Sequence, residues 1–240
     1  MTDHLTAAGA LPPATSAAVA HRDPAWRRPT RGEHRAPTVV AVVAAVALQV
    51  ALPDRLTLHP RWLLPGLELA LLVVLIGANP VRLVRTHSAL RLAGLALVAA
   101  MTVANVGSAG LLIDRLLTGR AGESAGSLIG SGAEIYGTNI IAFGLWYWEF
   151  DRGGPFARAQ GARQHTDFLF PQMAQPDVAH PEWEPAFLNY LYVSYTNATA
   201  FSPTDTMPLS RWAKTPMLVQ SAVALSTVSL VIARAVNILH

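Results

Sequence analysis

Residues 187–239 read FLNYLYVSYTNATAF (187–201), SPTDTMPLSR (202–211) and WAKTPMLVQSAVALSTVSLVIARAVNIL (212–239). Fifteen residues of helix rise only about 22 Å, too little for the ~30 Å of hydrocarbon in a bilayer. One face of the first piece collects Leu188, Leu191, Tyr192 and Tyr195, and the other Asn189, Val193, Thr196, Asn197 and Ala200. The second piece is turn-forming and the third is long and apolar. This order predicts a short helix that enters a membrane part-way, an extended return and a crossing helix. Non-helical backbone at membrane depth survives only where protein or a water-filled cavity surrounds it. Thr196, Asn197, Thr199, Ser202, Thr204 and Asp205 are therefore the candidates for lining a polar vestibule.

The remainder of the chain reads as membrane scaffold. Of 240 residues, 52% are hydrophobic and 14% charged, and mean hydropathy is +0.33. A soluble domain carries nearer a quarter charged residues. The apolar residues also fall into blocks: Thr38–Leu52, Trp62–Ala78, Ala89–Ile113, Ser127–Trp148 and Ala213–Leu239. Each block approaches the ~20 residues of a crossing helix, the first with help from Ala36 and Pro37. Backbone groups in lipid must pair within their own segment, so helices are expected and sheet is not. The predicted fold is an all-α integral membrane bundle of five transmembrane helices, with a re-entrant, pore-helix-like hairpin before the last. Its parts are a disordered basic tail (1–36), a four-helix region (37–149), an irregular loop (150–186) and the hairpin with the last helix (187–240).

Arginine placement gives the orientation. With the N-terminus in the cytoplasm, the inner side holds Arg22, Arg27, Arg28, Arg31, Arg35, Arg82, Arg85, Arg91, Arg152, Arg158 and Arg163. The outer side then holds only Arg55, Arg61, Arg115 and Arg120, as the positive-inside rule requires. Trp146 and Trp148 at one end and Trp62 at the other suit an interfacial aromatic belt. Small residues recur along three blocks and predict close packing within the bundle: Ala96, Ala100, Ala104 and Gly107; Gly130, Ala133, Gly137 and Gly144; Ala222, Ser226, Ser229 and Ala233.

Charges inside the membrane need partners, because one at mid-helix costs roughly 2.5–3.5 kcal/mol on insertion scales. Glu68 and Glu134 each lie about 10 Å below the outer surface on helices running the same way. If 187–206 dips without crossing, Arg234 reaches that layer. The expected cluster is Arg234 with Glu68 or Glu134, an ion pair orienting helices in preference to a proton or ion relay.

SYTNATAFSPTDTMPLSR (194–211) aligns without gaps on the potassium-channel pattern TLTTVGYGDIVPVTPLAR, matching at Thr196, Pro208, Leu209 and Arg211. The segment thus resembles a potassium-channel pore module with a degenerate filter. The filter glycines fall on Thr199 and Phe201, whose side chains resist the backbone geometry that aims carbonyls at an ion. A wider resemblance, from about residue 38 to the end, is to a family of uncharacterised bacterial inner-membrane proteins, a domain of unknown function. It rests on Asn79-Pro80 with Arg82 and Arg85, FGLWYWEF (143–150) with Gly153-Gly154, the segment from Asn189-Tyr190-Leu191-Tyr192 to Thr204-Asp205-Thr206, and the closing Ala235-Val236-Asn237. It implies the five-helix fold and a location in the bacterial inner membrane, and leaves the activity open.

Other chemistry is poorly represented. Cysteine is absent, and no two of the eight histidines stand four residues apart on a helix. There is no nucleophile elbow and no phosphate-cradling glycine loop. No enzyme activity, catalytic residue, cofactor, metal or nucleic-acid partner is expected. The leading expectation is a channel-like protein passing an ion or small polar solute, working in the bilayer as a homo-oligomer. The alternative is a non-conducting membrane scaffold or assembly protein. The connection 151–185 is anchored by Asp167-Phe168-Leu169-Phe170-Pro171 and is read as a lid or, equally, a linker.

Overall fold

The computed structural model describes residues 23–79, 81, 88–118, 124–202 and 205–239. It is mostly helical. Six principal helices fall on the six apolar segments: α1 (Ala36–Ala51), α2 (Leu63–Ala78), α3 (Ser88–Leu117), α4 (Ala125–Phe150), α7 (Phe187–Ala200) and α8 (Arg211–Leu239). Two short helices, α5 (Pro155–Ala159) and α6 (Pro171–Ala174), interrupt the connection between α4 and α7. Local chemistry sets the ends. Pro37 opens α1, where a missing N–H costs nothing. Ser124 caps α4 by accepting the Ser127 N–H at 3.3 Å.

By length and composition α3 and α8 could each cross a membrane, while α1 and α2 are apolar but have only 16 residues. Arg35 and Thr38 at the start of α1, Asn79 after α2, Arg91 near the start of α3 and Glu149 near the end of α4 border one cavity, so these four helices alternate in direction. Trp212 donates from Nε1 to Asp167 Oδ1 at 2.7 Å and packs at a tilt against Phe150, so α8 starts at the same end. That end also carries Arg152, Arg158, Arg163, Arg211 and Lys214. A second apolar cluster of Leu52, Leu56, Leu112, Leu128, Ile135 and Val231 closes the opposite end.

Several expectations are corrected. Residues 23–35 are not a disordered tail: Trp26 is buried in the main apolar cluster and Arg35 donates to the Leu75 and Asn79 carbonyls at the end of α2. The rest of the tail, with Arg82, Arg85, Arg120 and Thr204, lies outside the described residues. A two-stranded sheet exists, β1 (Phe168–Leu169) against β2 (Met207–Pro208), antiparallel, with two residues in each strand. Trp148 is buried and donates to Glu33 Oε2 at 2.7 Å, so it belongs to the protein interior and not to a lipid-facing belt. The small-residue stripe of α8, Ala222, Ser226, Ser229 and Ala233, is exposed. The face of α8 turned inward is instead Met217, Gln220, Ala224, Thr227 and Val231.

Candidate functional site

Both ends of the segment around α7 lie at the basic end of the bundle. Phe187 packs edge-on against Trp148, with ring centroids 6.1 Å apart, and Met207–Pro208 pair with Phe168–Leu169. Between them α7 runs alongside α4. Ser194 Oγ donates to the Ile140 carbonyl at 2.6 Å, ten residues before the end of α4 and so about 15 Å along its axis. Glycine permits the approach: a Cβ on Gly144 would lie 3.2 Å from the Cα of Leu191.

The N-terminus of α7 is fully provided for. Glu33 accepts the Phe187 N–H through Oε1, and Asn189 Oδ1 accepts the Ala186 N–H at 3.0 Å. A carboxylate there also complements the helix dipole. Beneath lies a buried cluster of charge. Asp151 Oδ2 accepts from Tyr190 at 2.5 Å, and its Oδ1 accepts the Asp167 and Phe168 N–H groups at 2.9 and 3.3 Å. Arg158 donates to the carbonyls of Trp148 and Asp151 at 2.6 and 3.0 Å, and sits 3.9 Å from Glu33. Arg152 donates to the carbonyls of Trp26 and Arg163. Burial pushes the carboxyls of Glu33 and Asp151 up, with the Arg158 charge opposing in both. Burial likewise pulls the Arg152 guanidinium down, against the Asp151 charge. The 151–186 connection is thus stitched to residues 23–35 and to the start of α7.

Deeper in, α7 is tied to α8 through Gln220, which is 0% exposed. Gln220 Oε1 accepts from Tyr147 at 2.6 Å and from Asn197 at 2.9 Å, and its Nε2 donates to the Ser194 carbonyl and hydroxyl at 2.9 and 2.7 Å. Asn197 also donates to the Met217 carbonyl at 3.0 Å, and Asn139 to the Gln220 carbonyl at 3.4 Å. Both sides of this seam are satisfied, which makes it a lock between helices.

The vestibule candidates are divided by this geometry. Asn197 is buried in the lock, and Thr196 is buried with its hydroxyl on the carbonyls of Tyr192 and Val193. Thr199 and Ser202 are exposed at and just beyond the end of α7, and Asp205 is exposed two residues before β2. Phe201, at one filter-glycine position, has φ 54° and ψ 26°, the left-handed conformation that glycine adopts most easily.

The three charged residues within the helices do not pair as expected. Glu68 is wholly buried between α1 and α2 and accepts from Gln49 Nε2 at 3.1 Å. Among the described residues no ion pair joins Arg234 to Glu68 or Glu134, and each of the three keeps one buried polar atom without a hydrogen bond. Azimuth separates Glu134 from α8. Gly132 is the α4 residue facing Val231 of α8, so Glu134, two residues on, points roughly 200° around the helix from that contact. Gln220, Tyr147, Asn139, Asp151 and Tyr190 were not singled out by sequence; a lone polar residue within an apolar helix, such as Gln220, was the available signal. No three His, Asp or Glu side chains converge as a metal site among the described residues. Comparison of the chain with family models, with curated proteins and with solved structures gave no match.

Proposed function

We propose that this chain is a five-span membrane protein in which 187–208 dips from the cytoplasmic face and returns, forming a channel-like module that is completed by several copies. The observation carrying this reading is the return of the segment to its starting end, with Asn197 fastened to Gln220 inside the bundle. Two 16-residue helices, α1 and α2, reach the length of a span with their flanking residues and a thin or locally adjusted bilayer. One hairpin per chain cannot enclose a path, so an oligomer is required. The outward face of α8 supports one, since Leu218, Leu225 and Ile232 alternate there with the small residues. Thr199, Ser202 and Asp205 then face the axis, where oxygen atoms suit a cation or water. The resemblance to bacterial inner-membrane proteins supports assigning the module to that membrane, and the arginine asymmetry supports a cytoplasmic N-terminus.

A second reading, a non-conducting scaffold, is favoured by the engagement of Thr196 and Asn197 within the protein. Ion flux into proteoliposomes separates the two. Wild-type flux that falls in Asp205→Ala, with the oligomer intact by cross-linking, supports the channel; no flux from a folded oligomer leaves the scaffold. The absence of cysteine makes topology directly measurable. Arg163→Cys should be labelled only from the cytoplasmic side and Thr57→Cys only from outside.

A further inference from the structure

A cavity lies away from α7, at the basic end between α1, α2, α3 and α4, beneath Gly153 to Ala157. Its volume is about 400 Å³, within the roughly 300–1,000 Å³ of small-molecule sites. Its wall is apolar, with Val42, Leu72, Leu75, Leu97, Val98 and Leu145. One acid faces it. Glu149 is 9% exposed, yet it accepts no hydrogen bond and forms no ion pair of 4.0 Å or less with any described residue. Two glycines make its slot: a Cβ on Gly94 would stand 2.6 Å from Oε1, and one on Gly154 would stand 3.5 Å from Oε2. A buried carboxylate without a donor is strongly unfavourable, and an occupant that brings one relieves that cost. The cavity also carries cations. Arg91 is exposed at its edge, and Arg35, whose Nη1 is held by the carbonyls of Leu75 and Asn79, keeps a buried Nε without an acceptor.

An occupant that fits has an N–H cation for Glu149, an anion for Arg91 and Arg35, and a chain for the apolar wall. We propose that this cavity binds the headgroup of a phospholipid bearing a primary ammonium, drawn from the cytoplasmic leaflet; this rests on the membrane reading above. A purely anionic headgroup would satisfy the arginines and leave Glu149 bare. A choline headgroup has no N–H to give.

The test is lipid retention by the detergent-purified full chain, read by native mass spectrometry. The probes are phosphatidylethanolamine, phosphatidylglycerol and phosphatidylcholine of one acyl composition. Wild type should keep phosphatidylethanolamine over both others. Glu149→Gln should lower that preference roughly ten-fold, the worth of one charge-assisted hydrogen bond. Gly94→Ala is the second variant. Its methyl meets only the end of a flexible side chain, so the fold persists while the carboxylate is displaced, and the preference should fall similarly. Equal retention of the three lipids, or an unchanged preference in both folded variants, overturns the site. Binding of soluble phosphoethanolamine without lipid retention assigns the cavity to a soluble zwitterion and overturns the lipid. Release of the chain from membranes by alkaline carbonate overturns the membrane reading and the lipid site with it. An integral chain with no lipid preference overturns the site alone.

Discussion

Tyr190 donates its phenolic hydrogen to Asp151 Oδ2 at 2.5 Å, with both side chains wholly buried where α4 ends and α7 begins. Asp151 also receives two backbone N–H groups from the strand that pairs with β2. One carboxylate therefore fixes both the entry and the return of the α7 segment. A hydrogen bond to a charged group contributes about 1.5–3 kcal/mol. Tyr190→Phe should lower stability by that amount, read as a Tm several degrees lower in detergent. An unchanged Tm would remove Asp151 as the anchor.

Acidity acts on the same cluster. Burial raises the Glu33 and Asp151 carboxyls above their ordinary values of 4.5 and 3.8. Just above those values the folded chain holds protons that the unfolded chain has released. The resulting stabilisation is complete below the ordinary values and is lost as pH rises through the folded ones. Tm should therefore decline, through these groups, as pH rises above about 4.5. Glu33→Gln should flatten the slope, and a slope identical to wild type would contradict this.

Gln220 is the second anchor, and removing it takes hydrogen bonds from its neighbours. Gln220→Leu leaves the Tyr147 hydroxyl without its buried partner and takes a hydrogen bond each from Asn197 and Ser194, which keep the Met217 and Ile140 carbonyls. An orphaned group costs about 1–3 kcal/mol and each further lost hydrogen bond about 1 kcal/mol, so unfolding should shift by several kcal/mol. Thr199→Ala removes only an exposed hydroxyl bonded to its own helix, and its effect should stay within about 0.5 kcal/mol.

Arg234 and the two buried-layer glutamates should behave independently. A double-mutant cycle of Arg234→Leu with Glu68→Gln, and another with Glu134→Gln, should each give a coupling below about 0.5 kcal/mol. A larger coupling would restore the ion pair that the structure lacks.

Phe201 occupies a left-handed backbone conformation that costs a residue with a side chain about 1–2 kcal/mol. Phe201→Gly should raise the Tm by a few degrees, since the exposed ring contributes little packing. A fall in Tm would mean that the ring has a packing role.

Hydropathy alone placed the helices. α4 was read as Ser127–Trp148 and runs Ala125–Phe150; the short α7 was read as 187–201 and ends at Ala200. Such blocks are legible because length and apolarity are properties of the chain taken segment by segment. Arginine asymmetry likewise identified the end at which Arg35, Arg91, Arg152, Arg158 and Lys214 collect.

Azimuth was not legible. Which way Glu134, Asn197 or Ala222 turns depends on which helices stand beside it. Periodicity within one helix cannot decide that when every side is apolar. Tertiary packing turned Asn197 toward Gln220, left the Ala222–Ala233 stripe outside and set Gly94 and Gly154 about Glu149. It also drew Trp26 and Glu33 out of an apparently structureless tail, because only the assembled ends of α4 and α7 offer them a pocket and an N–H to cap. The sequence by itself determined where the helices lie along the chain and which end is basic. The fold decided which side chains meet, because meeting is a property of neighbours that no single segment contains.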